Sequence, residues 1–139
     1  MPMRDDRPGM KDVRPVRTWA LAIAAVLITI GALGNALVVV PDLHGDLVEI
    51  GVRRTVLNGT VDALYFAALA NFGFAIIVSA AALQSARGIA PARIPLVVAA
   101  LIYTITGVMV FSRSHNPHHF AAIIMGALLL VAVADGFRS

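Results

Sequence analysis

Four long apolar blocks, which hold only one of the 19 charged residues, Asp62, set the limits on how this 139-residue chain can fold. The first block runs from Trp19 to Val40, 22 residues without a charge, and as a helix it would reach about 33 Å against a hydrocarbon core of about 30 Å. The second runs from Val61 to Leu83, the third from Ile94 to Phe111 and the fourth from Phe120 to Ala134. The fourth is short and needs a further turn from His118-His119 or Gly136-Phe137 to cross. The expected spans are therefore residues 19–40, 61–83, 94–111 and 119–136. Composition agrees, because 59% of residues are hydrophobic and 14% charged, with a mean hydropathy of +0.84, where a soluble domain carries about 25% charged residues. A water-soluble core and a disordered chain are both excluded.

The basic residues predict the orientation. Arg4, Arg7, Lys11, Arg14, Arg17, Arg87, Arg93 and Arg138 fall on one side of the expected spans, against Arg53, Arg54 and Arg113 on the other. Eight against three places both termini in the cytoplasm. Residues 1–18, with three prolines and mixed charges, read as a disordered basic cytoplasmic arm ahead of a single transmembrane domain over residues 19–137. Ten of the eleven basic residues are arginine, and alanine and valine are abundant, which is the residue usage of a GC-rich bacterial genome and suits a plasma (inner) membrane. The first block lacks a small-residue cleavage site, so it reads as an uncleaved anchor. The short connections predict an all-α, up-down-up-down four-helix bundle. The longest of them, residues 41–60, is expected to be structured. Glu49 and Arg53 stand at the spacing of a helical ion pair, which predicts that the second helix begins near Gly45.

Helices in lipid associate by close approach, so small residues four apart mark contact faces. The second span offers Ala63, Ala67, Asn71, Ala75 and Ser79. The first offers Ala20, Ala24, Ala32 and Ala36, and the fourth offers Ala122 and Gly126. Asn35 and Asn71 are amides in hydrocarbon, where an unpaired polar group costs several kcal/mol, so both are expected to face the bundle.

The chemistry available is sparse. There is no cysteine, which excludes disulfides and thiolate chemistry, and no hydrolase elbow, P-loop, dinucleotide fingerprint or zincin helix occurs. All four histidines fall on the outer side. His44 and Asp46 in the first outer segment, with His115, His118 and His119 in the second, are the ligand types for zinc or another divalent metal. A haem is disfavoured because His44 follows Pro41 outside the span. Asn35, Asp62, Tyr65, Asn71, Tyr103, Thr104 and Thr106 would line a polar recess opening outward.

The net charge of +3 lies beside the spans, so nucleic acid is not an expected partner. The partners expected are the bilayer, another membrane protein, or a second copy through small-residue helix faces. The shortage of reactive groups favours a non-enzymatic accessory or interaction subunit, with no cofactor. The alternatives are an outward-facing metal or proton sensor, a lipid- or quinone-acting enzyme, and an oligomeric transporter.

Overall fold

The computed structural model describes residues 15–114 and 120–135, and these are helical apart from two short turns, with no strand among them. Helix α1 (Pro15–Gly34) passes through one π-helical turn (Asn35–Val39) into α2 (Val40–Glu49) without a break. Helices α3 (Arg54–Ala86), α4 (Arg93–Ser114) and α5 (Phe120–Asp135) follow. Three helical stretches, Arg17–Glu49, Arg54–Ala86 and Arg93–Arg113, are long and apolar enough to cross a membrane, and Phe120–Ala134 is a shorter apolar helix. Only 22–28% of the most apolar window of each long stretch is buried within the molecule. The rest of that surface is the kind that hydrocarbon covers.

The segment between the first two apolar blocks corrects the reading from sequence. Residues 40–49 prolong the first helix; they do not open the second. Ile50 caps α2, Gly51 takes the left-handed conformation (φ 72°), and the Val52 and Gly51 amides donate to the carbonyls of Leu47 and Val48 at 3.1 Å. This is a glycine-terminated helix end that reverses the chain within four residues. Glu49 therefore closes one helix and Arg53 precedes the next, so they form no intrahelical pair.

Pro41 explains the π-helical turn. A proline inside a helix has no N–H, and its ring collides with the carbonyl four residues back, here that of Leu37. The Val40 amide donates to the Asn35 carbonyl, five residues back, which widens the turn just ahead of the ring. The same turn keeps the contact face in phase. Positions 21, 25, 28, 32, 36, 40, 43 and 47 are buried or half-buried, a 4-3 alternation carrying one extra residue across 32–40. The π-helical turn absorbs that residue, so Val40, Leu43 and Leu47 continue the face begun by Leu21 and Ile28. The buried and half-buried positions on α3 include Leu57, Val61, Leu64, Ala68, Asn71, Ala75, Val78, Ala82 and Ser85, a 4-3 alternation without interruption. Such spacing suits antiparallel helices in left-handed contact.

This register corrects the expected ladder on α3. Strict four-residue steps drift around a helix of 3.6 residues per turn, so Ala63 and Ala67 are exposed, Asn71 is half-buried and Ala75 is buried. On the first helix Ala20, Ala24 and Ala32 are buried as expected.

Helix α1 packs against α3 on one side and α5 on the other, and α4 packs against α5, while α3 and α4 barely approach one another. The core lies in the half of the molecule away from residues 50–53. It contains Leu21, Ile28, Val78, Leu96, Ala99, Ala100 and Leu129, all almost wholly buried. At that end the Thr18 and Ser85 hydroxyls share a hydrogen bond of 2.9 Å. With α1–α2 and α3 each about 50 Å long and α4 about 33 Å, the two long helices overreach the short ones by about 17 Å at the Gly51 turn.

Glycines set the α4–α5 distance. A Cβ on Gly126 would fall on the Thr104 hydroxyl and within 2.9 Å of its amide, and one on Gly107 would lie 2.7 Å from Ile123 Cγ1. Gly73 on α3, by contrast, has open space at that position. Gly126→Ala is expected to destabilise by about 1–3 kcal/mol, the usual cost of overpacking, and Gly73→Ala to be neutral or slightly stabilising. Thermal unfolding of the two variants in one detergent checks this; equal midpoints would refute the close α4–α5 contact.

Candidate functional site

Within the apolar part of α3, Asn71 is the single polar residue between Tyr65 and Ser79. It sits nine residues from Asp62 and fourteen from Ser85, about 13 Å and about 21 Å along the helix axis. Tyr103 lies ten residues into α4, about 15 Å from Arg93. The two side chains meet between α3 and α4. The Tyr103 hydroxyl donates to Asn71 Oδ1 at 2.8 Å, and the Tyr103 ring meets Phe74 edge-on, with centroids 5.9 Å apart and planes at 66°. Tyr103 is buried and Asn71 half-buried, so the pair forms the floor of the seam between these helices.

Of the seven residues expected to line a recess, the fold joins these two. Thr104 faces α5 instead. Its hydroxyl is buried against Gly126 and has no hydrogen-bond partner among the described residues. Thr106 is exposed on α4. Asp62 is two and a half turns from Asn71, which puts it on the opposite face of α3, and Tyr65 is turned well away; both are exposed. Asn35 does not face the interior as expected. It opens the π-helical turn, and its side chain is exposed.

The metal candidates that fall among the described residues do not converge. His44 and Asp46 are both exposed on α2, two residues apart, and residues at that spacing point to different sides of a helix. Among the described residues no group of three metal-ligating side chains is close enough to hold an ion. His115, His118 and His119 lie outside the described residues. The exposed surface of α2 carries Asp42, Asp46 and Glu49, with Arg53 and Arg54 beside the turn.

One feature escaped the reading from sequence. Two apolar grooves, of about 390 and 200 Å³, run between α1 and α3 and meet at Thr29 and Ser79. Small side chains at Ala25, Ala75 and Ala80 lower the surface there, between the larger Val26, Ile76 and Leu83. The Thr29 hydroxyl is satisfied by the Ala25 carbonyl at 2.8 Å, which keeps the grooves apolar. The sequence signal was the run of small residues on α3, but which of its sides would be covered depends on α1.

No family model matches the sequence, and no curated protein or solved structure shows significant similarity to it.

The Asn71–Tyr103 bond can be weighed directly. A hydrogen bond between membrane helices contributes about 0.6 kcal/mol on average and up to about 1.7. A cycle of Tyr103→Phe, Asn71→Leu and the double variant is expected to give a coupling energy in this range by reversible unfolding in mixed micelles. Strict additivity of the two changes would show that the bond contributes nothing.

Proposed function

We propose that this chain is a four-span protein of a bacterial inner membrane, with both termini in the cytoplasm, that works without catalysis as an accessory or interaction subunit for another membrane protein or a lipid. The observation that carries the reading is the uncovered face of α3. Ala63, Phe66, Ala67, Leu69, Ala70 and Gly73 are all exposed, and α4, the next helix in the chain, leaves them bare. This face mixes small residues, which permit close approach of a backbone, with a large aromatic that can anchor a contact. The grooves at Thr29 and Ser79 favour a fatty chain as a further occupant, because their walls are apolar and open to the side.

The scarcity of chemistry supports a role in association. The polar groups brought together within the apolar region are an amide, a phenol and a few hydroxyls, and none is an acid–base group suited to work near neutral pH. Four crossings follow if the 16 residues of α5, about 24 Å, are completed by residues beside them, and the excess of basic residues at the Arg87–Arg93 end then sets that end in the cytoplasm.

Two measurements test the proposal. A periplasmic alkaline phosphatase reporter is expected to be active when inserted at Gly51 and inactive when fused after Ser139; the reverse pattern would overturn the orientation. A photocrosslinking amino acid at Phe66 is expected to yield a discrete protein adduct in native membranes, with a second copy or with a different protein, and one at Ile23 on α1 is expected to yield none. Diffuse lipid labelling at both positions would sink the interaction with a protein.

A further inference from the structure

The Asn71 amide is only partly used. Its Oδ1 accepts one hydrogen bond from Tyr103 and keeps a second lone pair, and the two N–H bonds of Nδ2 have no partner among the described residues. An amide N–H left unpaired in hydrocarbon is costly, so this position calls for an acceptor. Its depth restricts the source. Asn71 lies about 13 Å along α3 from Asp62 and about 21 Å from Ser85, well below the level at which lipid headgroups and water are plentiful. The acceptor must be carried into the hydrocarbon by another helix.

We infer that this helix is α3 of a second copy of the chain, and that Asn71 pairs with Asn71 across a two-fold axis normal to the membrane. The inference rests on the reading of the chain as a membrane-spanning interaction subunit and names its partner. Two general arguments and one observation favour a second copy. Two copies inserted with the same topology are related by an axis along the membrane normal, so each residue meets its counterpart at the same depth. The side chain is self-complementary, because the free N–H of each amide can donate to the spare lone pair of the other. The approach is also clear. Above Asn71 on the same side of α3, Ala67 and Ala63 are exposed and carry no side chain beyond Cβ, whereas below it Ala75, Val78 and Ala81 are covered by neighbouring helices.

The crossing geometry follows. Residues 63, 67 and 71 are four apart, and helices that pack along such a row cross in the right-handed sense and diverge on either side of the contact. A second α3 would therefore touch at Asn71 and Ala67 and part from the first on either side of them. The bond within the chain takes one lone pair of Oδ1, and the bond between chains uses what remains of the amide.

The absence of native cysteine makes the test direct. Ala67→Cys in the full chain, oxidised in native membranes, is expected to give a disulfide-linked dimer, while Ile76→Cys, exposed on the far side of α3, gives none. Energy transfer between donor- and acceptor-labelled copies, diluted in phosphatidylethanolamine–phosphatidylglycerol vesicles, then measures the affinity. Asn71→Leu is expected to raise the dissociation constant at least tenfold. Ala67→Leu, at a site exposed in the single chain, does the same without disturbing the fold, and Tyr103→Phe leaves the dimer within about threefold of its original affinity. Equal linking of the Ala67→Cys and Ile76→Cys variants, or an affinity unmoved by both Asn71→Leu and Ala67→Leu, overturns the inference. A monomeric chain whose position 67 crosslinks only to a different protein overturns self-pairing and leaves the interaction reading standing; one that crosslinks to no protein overturns both.

Discussion

Helices in hydrocarbon gain little by burying apolar side chains against each other, because lipid tails are as apolar as leucine. What holds them is contact distance, together with the few hydrogen bonds that water cannot contest. The rest of this structure depends on that constraint. Between α4 and α5 it is met by Gly107 and Gly126, where a single added carbon would strike the facing helix. Between α1 and α3 it is met by alanine, with Ala25, Ala32, Ala68 and Ala75 on the buried faces and the Thr18–Ser85 bond closing its end. Between α3 and α4 neither device is present over most of the length, and the pair is tied by Tyr103, Asn71 and Phe74.

That unequal distribution separates a tightly packed end from an open one. The buried cluster occupies the half near Thr18, Ser85 and Arg93, while the long helices continue past the core as a hairpin turned at Gly51. A proline near the end of the first apolar block would ordinarily mark the end of its helix. Here the π-helical turn accommodates Pro41 and an irregular spacing of the contact face together, so one helix runs on to Glu49. The exposed face of α3 and the half-used amide both lie where the packing thins. An interaction surface is most readily built there, since no internal contact has to be given up to use it.

Much of this was legible in the residues. The apolar blocks, their number and approximate limits follow from length and charge alone, since a helix must satisfy its own backbone and needs about 20 apolar residues to cross. Asn71 was identifiable as a residue in need of a partner, because polar atoms at that depth cannot be left unpaired, and Tyr103 as a residue of the same polar recess. Gly126 was identifiable as a contact point. Each of these inferences uses a property of one residue or of one helix.

Tertiary structure decided what depends on two helices at once. The ladder Ala63, Ala67, Asn71, Ala75 and Ser79 is a single row in the sequence, yet the fold divides it, exposing its first two members and burying the fourth, because the α1–α3 contact follows a 4-3 alternation and not a strict four. Asp62 and Tyr65 belong to the same helix as Asn71 but not to its face. Asn35 looked like a residue of the interior until the π-helical turn placed it outside. Composition and periodicity determined that the chain would be helical and suited to a membrane; the phase of one helix against another, set by glycine, alanine and one widened turn, decided which polar groups meet.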